Sequence, residues 1–347
     1  MPEVRDKGPM GVLRPGWTAE LGDYAIAGDW ARGGKMFVAA DSAGGVFAFD
    51  SKSGENRWSQ GQTHEGGTLC LAVHPRGALV ATGGQDGRVL IWSAVSGELR
   101  QTLELGRGWV ENLAWSPDGQ WLATSVSRRV HIYSAKGDEV FRSADYPSTV
   151  SALAWAGPRE LASACYGKVA FINVPSGDVR QTLEWKGSLV SMVLSPDGDI
   201  VACGSQDNTV HFWRRSTGHD SMMSGYPTKP AALAFDRTGS FLATSGGIAV
   251  TVWCFQGNGP EGTRPGVLSI HTAPITSLTF ARRGRRLASG GRDGGIVVWG
   301  LADDGNGDPL GAVLVDDVVS DLSWRPDGKA LAALDGRGGV HVWRVKS

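Results

Sequence analysis

The chain has 347 residues, with 34 basic and 35 acidic side chains and a net charge of −1 when histidine is neutral. Hydrophobic residues at 41% and charged residues at 20% speak against a mainly disordered chain. The balanced charge speaks against a nucleic-acid binder that works by bulk charge, leaving only a local basic patch open.

In chain order, residues 1–16 read as an N-terminal tail without an apolar run, and no later stretch is long and apolar enough to span a membrane. Trp17–Leu21 reads as one short strand. After it the same events recur: an alternating strand, a turn, a strand of small residues, a second turn, an apolar strand ending in an aromatic, and an outer strand. The end of the first strand falls at Trp30, Val73, Trp115, Trp155, Leu194, Phe235, Phe280 and Trp324, at intervals of 39 to 45 residues. The end of the third strand gives a second marker at Phe49, Trp92, Tyr133, Ile172, Trp213, Trp253, Trp299 and Trp343.

Three or four short strands cannot bury both their faces alone, so each copy needs neighbours of its own kind. The period predicts an all-β, eight-bladed propeller of four-stranded antiparallel blades over residues 17–347. Blade cores are expected at about 24–60, 68–104, 109–143, 149–185, 189–224, 230–270, 274–315 and 318–347. The last copy is one strand short, and 17–21 is expected to complete it and close the ring. Seven blades plus an irregular one is the alternative. Turns such as Ser116-Pro117-Asp118-Gly119 and Ser195-Pro196-Asp197-Gly198 fit the joins between first and second strands, because proline presets φ and glycine accepts a positive one.

Two copies carry a further pattern: His64, Thr82, Asp86 and Trp92 in the second, and His271, Ser289, Asp293 and Trp299 in the seventh. On these residues the chain resembles the WD-repeat propellers, bacterial-type members included, over essentially all of its length from about residue 17. The resemblance implies a buried structural tetrad running from Trp through Ser/Thr and His to Asp. The fifth copy keeps Asp207 and Trp213 without the histidine, the eighth has Arg337 where aspartate is expected, and the first lacks all four.

The His–Asp pairs invite a catalytic reading, but no GxSxG elbow occurs and their repetition points to architecture, so no catalytic residue is expected. His131, His211 and His341 share one repeat position, yet fall in blades that are not neighbours; facing outward, they would not converge on a metal. No metal or other cofactor is expected, since neither a calcium-loop run nor a phosphate-binding glycine motif is present. Cys70, Cys165, Cys203 and Cys254 lie far apart and read as buried reduced thiols, which suits a cytoplasmic protein.

The expected function is a non-enzymatic protein–protein interaction scaffold, as the family resemblance implies. Its partner would be a protein or peptide, and a place in a larger complex is compatible with this. The binding face is expected where second strands turn into third and where blades follow one another. That face would carry Tyr24, Arg88, Trp109, Arg128, Arg129 and Tyr146. It would continue through Tyr166, Trp185, Tyr226, Arg292 and Arg337, since aromatic and arginine side chains are what interface hot spots use. Two alternatives stay open: an enzyme or cofactor-binding propeller, and an RNA-binding one acting through the basic turn Arg282, Arg283, Arg285 and Arg286. Nucleic acid is otherwise not an expected partner.

Overall fold

The computed structural model describes residues 11–257 and 259–346. The tail expected at 1–16 lies outside the described residues up to residue 10. Among the described residues the backbone forms eight four-stranded antiparallel sheets, and no α-helix is present. Each sheet is one blade, and its strands are called a to d from the central channel outward. In blade two they are Thr68–Val73, Leu79–Gly84, Arg88–Ser93 and Leu99–Glu104.

The alternative of seven blades is removed by the first and last sheets. Blade one is complete in itself, from Ala25–Ala31 to Asn56–Gln60. Blade eight takes its a, b and c strands from Val319–Trp324, Ala330–Asp335 and Gly339–Val345, and its d strand from Leu13–Glu20. The two ends of the chain pair directly, with Leu13 opposite Val345 and Glu20 opposite Gly339. This strand starts upstream of the Trp17 expected from sequence because a bulge at Gly16 lets Pro15 sit in an edge strand without a lost ladder bond. A side chain at Gly16 would strike the Val342 carbonyl, its Cβ only 2.4 Å from that oxygen.

Burial follows strand position. Strand b is covered on both faces by neighbouring blades, so in blade five Ile200–Ser205 is buried at every residue. Strand d has one face in water, and Leu99–Glu104 buries only Leu103. The core is therefore a ring of separate clusters between adjacent blades rather than one central mass; one joins Trp17, Trp30, Phe37 and Phe49 to Leu334 and Val342 across the closing seam.

The tryptophans that end strand a explain why they mark the period. Trp115 Nε1 donates to the Ala72 carbonyl of the preceding blade (3.3 Å), Trp155 to Ala114 (2.9 Å) and Trp324 to Thr279 (3.1 Å). Trp30 does the same across the seam, donating to Ser323 at 3.0 Å. One indole thus ties each of these blades to the one before.

In six blades strand a also begins with a bulge, as between Val110 and Asn112 and between Leu189 and Ser191. The extra residue, Glu111 or Val190 in these two blades, is left unpaired at the head of the channel. In blade seven only residues 302–306 join strand c to strand d, which starts at Gly307.

Candidate functional site

The upper face carries the b–c turns and the loops between blades, and the lower face carries the a–b and c–d turns. In blade two the residues singled out from sequence meet: Trp92 Nε1 is 3.0 Å from Thr82 Oγ1, Thr82 Oγ1 is 3.0 Å from His64 Nε2, and His64 Nδ1 is 3.0 Å from Asp86. Blade seven repeats this with Trp299, Ser289, His271 and Asp293 at 2.8, 2.8 and 3.2 Å. One proton arrangement satisfies every group: the indole donates to the hydroxyl, the hydroxyl to Nε2, and Nδ1–H to the carboxylate. It needs neutral histidine, and burial does lower the His64 pKa.

The carboxylate then fixes the loop. Asp86 accepts from the backbone N–H of Glu65 (3.0 Å) and Arg88 (3.1 Å), and Asp293 from Thr272 (2.7 Å) and Gly295 (2.9 Å). Burial alone would raise both carboxylates, but these bonds, with Arg88 beside Asp86, outweigh it and hold them low. Thr82 and Ser289 are wholly buried and bonded on both sides, so neither hydroxyl is available to attack a substrate. The tetrad is a loop anchor.

Other blades reach the same end by different residues, which sequence inspection missed. In blade four Tyr146 Oη meets Ser163 Oγ at 2.7 Å, and in blade six Tyr226 Oη meets Thr244 Oγ1 at 2.8 Å and accepts from Trp253 Nε1 at 2.9 Å. A signal was present: Tyr146 and Tyr226 precede their hydroxyl partners by 17 and 18 residues, against 18 for His64 and His271. Blades one and eight move the carboxylate to the end of strand b. Asp41 accepts from Gly22 N–H and Gly45 N–H, and Asp335 from Arg337 N–H, Gly339 N–H and His341 Nε2.

Blades three and five make no such chain. Thr124 of blade three is buried with its hydroxyl unpartnered among the described residues, and Trp109 in the loop above it is 55% exposed. In blade five Trp185 stacks on His211, ring centroids 3.7 Å apart. His211 Nε2 is 3.1 Å from Asp220 but off the line of a hydrogen bond, so both ring nitrogens stay unpaired and burial lowers the pKa to about 4.

Three residues expected on the contact face are therefore not free on it: Tyr146 is buried, and Tyr226 and Trp185 are half-buried, because each fills the place a histidine takes in blade two. The histidines expected to face outward also differ. His131 and His211 are buried within their blades, and His131 and His341 pair with Glu139 (2.7 Å) and Asp335 (2.8 Å) of the same sheet.

Tyr24, Trp109 and Tyr166 do present their rings to solvent, and Arg292 is exposed. The other arginines are engaged in part: Arg88 with Asp86 (2.7 Å), Arg128 and Arg129 with Asp145 (2.7 and 2.5 Å), and Arg337 with Asp317 (3.6 Å). Over blades three to five the upper face holds a depression of about 590 Å³. Its wall combines the bulge residues Glu111 and Val190 with Asn112, Ser148, Ser151 and the ring of Tyr166. Trp109 stands two residues ahead of Glu111 in the same loop.

Two family models match the chain. One, described as outer membrane protein assembly factor BamB, covers residues 14–222, from the closing strand through most of blade five. The other, described as WD domain, G-beta repeat, covers residues 262–300. Among curated proteins the chain is similar to a periodic tryptophan protein 2 homolog of Dictyostelium discoideum, 25% identical over 260 residues, or 72% of this chain and 24% of that one. It is also similar to autophagy-related protein 16 of Arabidopsis thaliana, 25% identical over 305 residues, or 81% of this chain and 56% of that one. Pre-mRNA-processing factor 19 of Oryza sativa subsp. japonica is 26% identical over 243 residues, with 67% and 46% covered. The chain thus spans from about a quarter to little more than half the length of these relatives. Among solved structures it resembles the computationally designed Ika8 protein, with a TM-score of 0.82 and 20% identity, covering 97% of this chain and 100% of that one; this likeness concerns the fold alone.

Proposed function

The chain belongs to the WD-repeat β-propeller family, with more than half its length also matched by the BamB family model, and on that premise we propose that it is a non-enzymatic scaffold holding a protein or peptide on its upper face. The observation that carries this reading is the pairing of exposed Trp109 and Tyr166 with the depression beside them. Large rigid aromatics at the edge of a concavity bury much area on contact while losing little rotamer freedom. The serine hydroxyls and the Asn112 amide of the wall supply hydrogen bonds for a peptide backbone. The half-engaged Arg128 and Arg129 of blade three border this sector, as a polar rim does at interfaces.

The cysteines support a reducing location such as the cytoplasm. All four are free thiols, and burial raises Cys70, Cys165 and Cys203 above the ordinary thiol range, which keeps them unreactive. The test is affinity capture from the source cell with the wild type and with a Trp109→Ala/Tyr166→Ala variant, followed by identification of what is retained. Proteins held by the wild type and lost from the variant are expected. Equal recovery by both would reject this face.

A further inference from the structure

The a–b turns of the lower face are electrically lopsided in a way the net charge conceals. The a–b turn of blade seven carries Arg282, Arg283 and Arg285, with Arg286 opening the next strand. Blade eight adds Arg325 and Lys329, blade one Arg32 and Lys35, and blade two Arg76. Asp327 is the one carboxylate within these four turns. The a–b turns of the other four blades are the reverse: Asp118, Glu160, Asp197, Asp199 and Asp236 stand against Arg159 and Arg237.

Ring closure makes the basic turns one surface, because blades seven, eight, one and two are consecutive around the channel. Neighbouring turns touch. The Arg32 N–H donates to the Gly77 carbonyl of blade two at 3.2 Å, and Gly34 lies against Arg325 and Pro326 of blade eight. The charge of Arg282 is felt by Asp29 of blade one. Arg285 pairs with Asp303, and Arg325 with Asp327 at 2.9 Å. Among the described residues no carboxylate lies within ion-pair distance of Arg32, Lys35, Arg76, Arg283 or Lys329. Between blades one and two the arc opens into a cleft of about 550 Å³ lined by Arg32, Lys35, Lys52 and Arg57, with Asp50 engaged by Arg57 at 3.1 Å.

We infer that this arc is a second docking surface, and that its partner is the phosphodiester backbone of a double-stranded nucleic acid, held without reading its bases. Three features select that partner. Arginine outnumbers lysine in the arc, and its planar fork suits phosphate oxygens. No aromatic ring is exposed on these turns among the described residues, so single-stranded bases have no stacking platform. Among the described residues Val95 and Leu99 of blade two, both aliphatic, are the large apolar side chains exposed at the lower ends of these four blades, so a protein partner would find no aromatic hot-spot anchor and a membrane no cluster of inserting side chains. Affinity then has to come from charge alone. A duplex with one charge per ~1.7 Å of axis supplies it more densely than an acidic peptide, whose extended backbone advances ~3.4 Å per residue.

The test measures binding of mixed-sequence DNA and RNA duplexes of about 20 base pairs by fluorescence anisotropy as salt is raised from about 50 to about 200 mM. With roughly five phosphates engaged, affinity for the DNA duplex should fall several-hundred-fold over that range. An Arg32→Gly/Arg76→Ser/Arg283→Ser variant should bind at least about tenfold more weakly and with a shallower salt slope. Glycine suits position 32 because its φ is +53°. Should that variant fold poorly, Arg76→Glu/Arg283→Glu provides the same comparison, with Tyr166→Ala as an upper-face control that leaves duplex binding unchanged. Unaltered binding by the arc variants, or no duplex binding at about 50 mM salt, overturns the inference. So does tighter binding of polyglutamate, or of phosphatidylserine vesicles, than of duplex at equal charge.

Discussion

Blades two and three are neighbours built on the same four strands, yet their upper loops are held in opposite ways. In blade two the loop is pinned through Asp86, and behind Asp86 stand His64, Thr82 and Trp92 without a gap. In blade three Thr124 occupies the place of Thr82 with nothing bound to its hydroxyl, and the loop above turns Trp109 out to water. A network made in full anchors a loop, whereas in blade three, with the hydroxyl left unbound, the loop aromatic points to water. Rigidity and contact surface are thus divided among blades, and the sector freed of the tetrad is the one beside the depression.

The largest break in this comparison comes from emptying a complete network. Ser289→Ala removes the partner of both Trp299 Nε1 and His271 Nε2 inside a sealed interface, and should cost about 2–4 kcal/mol in denaturant unfolding. Thr124→Val, the matching change in blade three, removes a hydroxyl that bonds nothing and should shift stability by less than about 0.5 kcal/mol, or raise it. Equal losses in the two variants would mean that the networks do not differ in energy.

A second effect distinguishes the seam from the rest of the ring. Asp321 faces the channel beside Asp29, accepts from Gly28 N–H at 3.0 Å across the seam, and is pushed up to about 7 by burial and then by Asp29. Its folded pKa lies above the ordinary 3.8, so the folded state keeps a proton that the unfolded chain has lost. The stability this provides is complete below about pH 4 and disappears as pH rises through about 7, by at most about 1.4 kcal/mol per unit. The lowered pKa values of His64, His131 and His211 act in the opposite sense, favouring the folded state as pH rises through the histidine range. The difference between wild type and Asp321→Asn isolates the carboxylate. Asp321→Asn should remove this decline between pH 4 and 7, and an unchanged pH profile would contradict the assignment.

A smaller effect belongs to the tyrosine blades. Tyr226→Phe leaves Trp253 Nε1 without its acceptor in a half-buried site and should cost about 1–2 kcal/mol, less than Ser289→Ala, because the Thr244–Thr251 hydroxyl contact survives. Unfolding of both variants under one condition checks the ranking.

Much of this was legible in the sequence. Trp30, Trp115, Trp155 and Trp324 recur because each makes the same bond to the preceding blade, so their spacing reported the period and, through it, the closure by the N-terminal strand. The tetrads were legible because His, Ser/Thr, Asp and Trp have few other reasons to recur together. The aromatics of the upper face were not. Tyr146 and Tyr226 stand in the loops as Trp109 does, and a hydroxyl follows all three by 17 or 18 residues; the anchors differ in that Ser163 and Thr244 lie within strand b, whereas Ser127 falls beyond the end of its strand. The basic arc was hidden for a different reason: Arg76 and Arg283 are far apart in the chain, and only ring closure brings their blades to one side of the channel.

Hydrogen exchange across the upper face tests the division between pinned and released loops most directly. The Glu65 and Thr272 amides, bonded to Asp86 and Asp293, should be protected at least about a hundredfold more than those of Arg107 to Trp109. Equal exchange in the two sets of loops would contradict the account.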